Sequence, residues 1–387
     1  MDLSWERFQK IIKSTKEIQQ ISIGNIGGKA IIGVFWLYIA TVLGTENYGQ
    51  VNYLIALGSM GAAVSMVGAS NTIIVYVAKK VPIESTVYTI SLCIGTVASI
   101  VIFIFSNSII TSIFVFGYIF YNLGIAELLG KKQYKKYSSI LILQKVIFAS
   151  TGILLQHIIG FEGVVLAFAI SMLIFAPIVI ISFKNTKISF KILKPKFGFM
   201  INNYALTVEK IFSSQLDKLL IAPMFGFSIL GNYALSIQIL SIMSILPNIV
   251  FQYTLSQDAS GNSTFKIKKI SIISSILVTI IGIFFSPIII PIMYPEFIEA
   301  IQLVQIVSLH LIPSAIVLTY TSKFLGEEKS KYILIGQGIS VVIYLGGLFY
   351  LGSIYGINGV AMGLVLSTTI QALFYFITDK RNKNQSN

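Results

Sequence analysis

Five polar side chains share one helical face in the middle of the chain: Asn203, Thr207, Lys210, Ser214 and Asp217, at steps of four, three, four and three residues. That spacing draws a stripe along a helix. Glu209 sits at its edge. Amide, hydroxyl, ammonium and carboxylate groups in such a line can replace water around an anion, pass a cation, or pack on a second polar face. A shorter line of Ser22, Asn25 and Lys29 runs at steps of three and four near the start. Lys145 and Lys218 are two further ammonium groups inside apolar stretches. An ionised group at the centre of a bilayer costs from about 2.5 kcal/mol upward, so each needs a partner, a wet cavity or a route to the surface. Lys218 is near one end of its stretch and can snorkel. Lys29 and Lys145 lie roughly 10–12 Å inside an edge at about 1.5 Å per residue, and Lys210 lies near mid-span. These three are the candidate substrate ligands, with Asn25, Asn203, Thr207 and Ser214 beside them. Asp217 and Glu209 are candidates for ion pairing or for binding a coupling ion.

No catalytic residue, metal or other cofactor is expected. His157 and His310 are far apart in sequence, with no ligand spacing around them. Cys93 is the single cysteine, so no internal disulfide can form. Gly27-Gly28-Lys29 resembles the end of a phosphate-binding loop, but Ala30 stands where Ser or Thr is required and no strand precedes it.

The elements that position these groups are membrane spans. The chain of 387 residues is 55% hydrophobic and 11% charged, far from the balance of a soluble domain. A helix needs about 20 apolar residues to cross a bilayer. Twelve such stretches are expected: 21–43, 51–77, 86–105, 109–129, 138–155, 163–183, 200–222, 232–254, 270–290, 298–320, 332–351 and 360–378. Of the 28 basic residues, 24 fall in the N-terminal arm, every second connection and the tail, and none in the six remaining connections. That alternation is the positive-inside pattern of a multi-pass protein of the cell membrane with both termini in the cytoplasm. The net charge of +13 thus reflects orientation and contact with membrane lipids, not nucleic acid. Trp5, Phe8, Ile11 and Ile12 recur at helical spacing, which predicts an amphipathic cytoplasmic helix over 1–20. The outer connections are too short to hold a domain.

The halves repeat. Gly160-Phe161-Glu162-Gly163-Val164 matches Gly356-Ile357-Asn358-Gly359-Val360 at an offset of 196, and Leu129-Gly130 matches Leu325-Gly326 at the same offset. Gly44 and Gly49 match Gly226 and Gly231 at an offset of 182. The expected architecture is an all-α integral membrane protein with about 12 transmembrane helices in two pseudo-symmetric six-helix lobes. The N-lobe covers 21–183, a basic cytoplasmic linker 184–199, the C-lobe 200–378 and a cytoplasmic tail 379–387. Six spans per repeat is an even number, so the repeats share one orientation, a plan that places substrate at the repeat interface. Pro177, Pro247 and Pro313 are expected to kink spans six, eight and ten, and Gln144, Gln305 and Gln337 to hydrogen-bond between helices.

Leu43-Gly44-Thr45-Glu46-Asn47-Tyr48-Gly49 resembles the L-G-x-x-x-Y-G signature of polysaccharide flippases. These are the Wzx-type branch of the multidrug/oligosaccharidyl-lipid/polysaccharide exporter superfamily. Leu216-Asp217-Lys218-Leu219-Leu220-Ile221, Gly226 and Leu230-Gly231-Asn232-Tyr233 resemble the second-lobe pattern of the same branch. The resemblance covers nearly the whole chain, which is somewhat short for the family. It implies lobes that open alternately to each side and a polyprenyl-pyrophosphate oligosaccharide as cargo. It also implies a glycan polymerase and glycosyltransferases as partners, and proton or sodium as coupling ion. Lys29, Lys145 and Lys210 would offset the diphosphate, and Asp217 would pair with a lysine or bind the coupling cation. A cation-coupled multidrug antiporter of the same superfamily is the nearest alternative. A membrane-embedded polymerase or ligase, or an assembly scaffold, is the alternative from another class. If the stripe is wet, Asn203→Cys, Thr207→Cys and Ser214→Cys on a Cys93→Ser background will react with water-soluble thiol reagents; protection of all three excludes a wet stripe.

Overall fold

The computed structural model describes residues 2–259, 264–327 and 329–386, with side chains throughout these except at 2–23, 26, 205–213, 252, 256, 259, 265 and 383–386. Every regular element among the described residues is helical. In chain order they are α1 (Asp2–Met66), α2 (Ala69–Ala78), α3 (Glu84–Ser106), α4 (Ile109–Gly130), α5 (Tyr134–Ile159), α6 (Phe161–Met172), α7 (Ala176–Asn185) and α8 (Phe190–Leu193). They continue as α9 (Phe197–Phe225), α10 (Phe227–Met243), α11 (Ile245–Ala259), α12 (Phe265–Met293), α13 (Ala300–Ser308), α14 (Leu311–Gly326) and α15 (Ser330–Ser386).

Eight helical segments among the described residues are long and apolar enough to cross a bilayer. Two of them hold a break that makes each a pair of spans. Gly44 (φ 70°) divides α1 and Gly356 (φ 59°) divides α15. α10 and α11 form one further span, bent by 45°. α9, over the seventh expected stretch, completes twelve. The helix assignment of α1 runs unbroken from the N-terminal arm into span one. α12 explains why such a helix needs lipid. Ile270, Ile273, Leu277, Ile281, Phe284, Ile288 and Ile292 are all exposed along it, an apolar face no aqueous surface would carry.

All three proline kinks are present. Pro177 follows a 3₁₀ turn at Leu173–Phe175 between α6 and α7, Pro247 opens α11 after the bend, and Pro313 opens α14 after the break from α13. Gln144 donates to Ser171 Oγ at 2.8 Å and Gln305 to the Ile283 carbonyl at 3.1 Å, both between helices. Gln337 is exposed.

The repeat is visible in the backbone. Gly44 and Gly226 adopt φ/ψ of 70°/178° and 90°/167°. Gly160 and Gly356 adopt 70°/−150° and 59°/−143°. All four turns use the positive φ that side chains resist. The next glycines serve close approach. A Cβ on Gly163 would lie 2.2 Å from the Leu155 carbonyl oxygen, and one on Gly359 would lie 1.9 Å from that of Leu351. Gly49 and Gly231 are reciprocal: a Cβ on the first would lie 1.9 Å from the Phe227 oxygen, and on the second 1.9 Å from the Thr45 oxygen. Hydroxyl bridges repeat as well. Ser99 Oγ donates to the Ser112 carbonyl at 3.1 Å in one half, and Thr279 Oγ1 to the Ser308 carbonyl at 3.0 Å in the other.

By packing, the chain forms two compact units. One comprises Met1–Ile39 and Gln50–Leu220, the other Ala40–Gly49 and Ile221–Asn387. The repeat boundary and the packing boundary are thus different lines, since α9 opens the second repeat but is grouped with the first unit.

Gly163→Ala and Gly359→Ala should each destabilise the fold by about 1–3 kcal/mol, because backbone must move to admit the methyl. Gly338→Ala, where no atom lies within 4 Å of the new carbon, should leave thermal unfolding unchanged or raise it slightly. Thermal unfolding of the three purified variants in detergent checks this; equal transitions would refute the close-approach reading.

Candidate functional site

The site is built where α1 passes α5 inside the first unit. Gly24 and Gly28 permit it. A Cβ on Gly24 would lie 2.9 Å from Ser138 Cα, and one on Gly28 would lie 3.4 Å from Lys145 Cγ. The two helices therefore meet almost backbone to backbone, and residues next to the glycines are brought beside α5. Tyr137 donates its hydroxyl proton to Asn25 Oδ1 at 2.9 Å. Lys29, one turn beyond Asn25, is exposed.

Lys145 is half-buried, with its ammonium over two aromatic faces. Nζ is 5.5 Å from the centroid of Tyr121 and 5.6 Å from that of Phe168. Tyr121 comes from α4 and Phe168 from α6, so three helices converge on one charge. The rings are themselves fixed. Phe168 stacks on Phe148 at 4.3 Å with planes 15° apart, and Tyr121 meets Phe175 edge to face at 5.2 Å. A ring quadrupole is worth roughly 2 kcal/mol to a desolvated cation. Among the described residues no carboxylate forms an ion pair with Lys145. Its neighbour Gln144 is fully buried, and its Oε1 has no partner among the described residues.

The structure thus packs the helix that carries Asn25 and Lys29 against the helix that carries Lys145. Of the stripe on α9, Asn203 is half-buried and accepts from Asn71 Nδ2 at 3.0 Å, Ser214 is exposed, and Asp217 is buried. The Asp217 carboxylate accepts the backbone N–H of Lys218 at 2.8 Å. Thr207, Glu209 and Lys210 lie outside the described side chains. Tyr121, Phe168 and Tyr137 were not singled out from the sequence. In a chain that is 12% aromatic, a ring on a span carries no mark that separates a cation platform from core. Glu127, four residues before Lys131, is buried, accepting from Tyr88 Oη and Lys131 Nζ, each at 2.5 Å.

The fold has known counterparts. The chain superposes on the lipid II flippase MurJ in an inward closed conformation with a TM-score of 0.78, at 16% identity over 93% of this chain and 87% of that one. An inward-facing multidrug resistance MATE transporter of the MOP superfamily gives 0.70 at 14% identity, covering 95% and 98%. A MOP superfamily transporter from Pyrococcus furiosus, described as having a binding pocket of reversed polarity, gives 0.60 at 14% identity, covering 95% of each chain. No curated protein matched the sequence. At these identities the likeness is one of fold: twelve helices in two pseudo-symmetric sets of six. Residues 39–257, more than half of the chain, match the model of a family described as polysaccharide biosynthesis proteins, and the chain belongs to that family. Family and fold together bear out the resemblance to the Wzx-type flippases.

An ammonium compensated only by aromatic faces still costs stability in an apolar surround. Lys145→Met, which fills the same space and keeps a sulfur against the two rings, should therefore raise the unfolding temperature. A fall on calorimetry would mean that Lys145 has a stabilising anionic partner.

Proposed function

We propose that the protein moves polyprenyl-pyrophosphate-linked oligosaccharide from the cytoplasmic to the outer leaflet for cell-surface polysaccharide synthesis, by alternating access. One observation carries the reading: Lys145 sits over Tyr121 and Phe168 and against Gly28 of the helix that bears Asn25 and Lys29, with no acid paired to it among the described residues. A diphosphate and its sugars are strongly hydrated and cannot enter hydrocarbon alone. Lysines supply point charges for the diphosphate, and Asn25 with the polar face of α9 supplies donors and acceptors for sugar hydroxyls. Lys210, on α9, is the third lysine we assign to the diphosphate. The polyprenyl tail stays in lipid.

Cationic cargo is a poorer fit. Glu127, a carboxylate on a described span, is already engaged by Tyr88 and Lys131. Asp217 is the group we assign to proton or sodium coupling. The basic ends of the helices face the cytoplasm, as do both termini, on the alternation of charge along the sequence. There the protein would receive cargo from glycosyltransferases and, on the far side, pass it to a polymerase.

Lys29→Ala, Lys145→Ala and Lys210→Ala should each abolish transfer of a polyprenyl-diphosphate oligosaccharide across vesicles containing the purified protein, while abundance and unfolding temperature stay near wild type. Transfer at the wild-type rate in all three would end this proposal. Imposed proton and sodium gradients, applied in turn, identify the coupling ion, and Asp217→Asn should remove the response.

A further inference from the structure

The repeat allows one half to be compared with the other at the basic ends of the helices. In the first unit the space among the ends of spans two, three, four and six is filled. Val77, Ile83, Val87, Ile119 and Val179 form a buried cluster there, and Leu193, only 3% exposed, completes it with Ile192 packed alongside. Leu193 comes from α8, in the connection that follows span six. That connection is tied down: Ser85 Oγ donates to the carbonyls of Phe183 and Thr186, both at 2.9 Å, and the Ser189 N–H donates to Thr86 Oγ1 at 2.8 Å. A segment of the chain is thus folded back as a plug.

In the second unit no described segment fills the corresponding space. The ends of α11, α12, α14 and α15 enclose a cavity of about 1010 Å³ with walls that include Ile272, Ile312, Ile316, Leu373 and Phe376. The repeat offset of 196 carries Ile316 onto Phe120, which packs against the filled cluster of the first unit. After span twelve the chain runs on as α15 to Ser386 rather than turning back, and residues 380–387 carry no apolar side chain. Such a volume is at the upper end of the range for ligand pockets, roughly 300–1,000 Å³.

The mouth of the cavity is charged, and its acids are already matched. Asp258 accepts from Thr264 Oγ1, Lys268 Nζ and Ser322 Oγ, each at 2.5 Å. Burial alone would raise its carboxyl, but these donors outweigh burial and hold it below the ordinary range, so it stays ionised and paired. Asp379 is paired with Lys323, and Glu327 with Lys329 at 2.8 Å. Lys269, also at the mouth, is exposed, and among the described residues no carboxylate pairs with it. The lining thus holds three acids and three bases, and Lys269 is the base that pairs with no described carboxylate.

We infer that this cavity binds one membrane amphiphile carrying a phosphate, with its apolar chain among Ile272, Ile316 and Phe376 and its phosphate at Lys269. The site is separate from the lysines of α1 and α5, and the inference does not depend on the cargo proposed above. Two sources share the chemistry, an anionic phospholipid of the leaflet on the basic side and a polyprenyl monophosphate.

Native mass spectrometry of the full chain in neutral detergent tests it, with phosphatidylglycerol, phosphatidylcholine and polyprenyl monophosphate titrated separately. The expected result is retention of one phosphatidylglycerol or one polyprenyl monophosphate per chain, the tighter of the two identifying the source. Ile316→Trp, which puts an indole into the apolar part of the cavity, should weaken that retention; Leu373→Trp, at an exposed wall position, is the second variant should the first fail to fold. Lys269→Gln should weaken the anionic ligand about fivefold and leave phosphatidylcholine unchanged. Retention unaltered in a folded cavity-filling variant overturns the site. Equal retention of phosphatidylcholine and the anionic lipids, insensitive to Lys269→Gln, overturns the phosphate assignment.

Discussion

In hydrocarbon no water is present to satisfy a backbone amide, so a chain inside it must be helical or find shelter where it is not. The rest of this structure follows from that constraint. Its departures from helix are confined to a few residues. Four of them, Gly44, Gly160, Gly226 and Gly356, use positive φ to reverse the chain in the smallest possible turn. Short turns force the helices that flank them into contact, and contact that close needs the second glycine of each motif. Gly163 under Leu155 and Gly359 under Leu351 are the same solution used in both repeats, while Gly49 and Gly231 serve the close approach of the helix after Gly44 to α10. The signature glycines are therefore geometric requirements of tight turns between spans, before they are marks of any family.

That is why the frame was legible in the sequence. Glycines that must stay glycine leave fixed offsets, prolines that break a span leave kinks at Pro177, Pro247 and Pro313, and lysines barred from hydrocarbon mark alternate connections. The crossing of α1 over α5 was half legible, since Gly24 and Gly28 announce a close approach but not its partner. What the sequence could not disclose is whatever depends on which two helices meet. Tyr121 and Phe168 become a cradle for Lys145 only because α4 and α6 converge on α5, and neither spacing nor residue type predicts this. Glu127 illustrates the same limit in reverse. Its place near a basic connection suggests a wet edge, whereas Tyr88, 39 residues away, encloses it.

The halves also differ where the repeat predicts likeness. The offset of 196 sets Glu127 of α4 against Lys323 of α14, and Lys131 against Glu327, so one i, i+4 pair appears twice with its signs exchanged. In the first unit the acid is inside and is held by Tyr88. In the second the base is inside and is held by Asp379 of α15. Both arrangements satisfy the rule that a charge removed from water must be paired. They diverge in what surrounds the pair: an apolar plug from the connecting chain in one case, a cavity in the other. Duplication fixes the backbone through its glycines, and leaves the space between side chains free to be closed or kept.

The manner in which Lys145 is compensated bears on what such a site can do. A carboxylate beside the ammonium would stabilise it more strongly than two rings, but it would have to be displaced, or left buried with the cargo, each time an anion arrived. That would place two negative groups around one positive one, in a medium where Coulomb energies are large. Aromatic faces hold the cation through a quadrupole and bring no net charge, so an arriving phosphate oxygen meets no repulsion and nothing must leave. The compensation is weak enough to be supplemented by a ligand and strong enough to keep the ammonium in place between ligands. The proposed function requires that cargo be released as well as captured, and a cation on aromatic platforms suits an anion that has to be passed on.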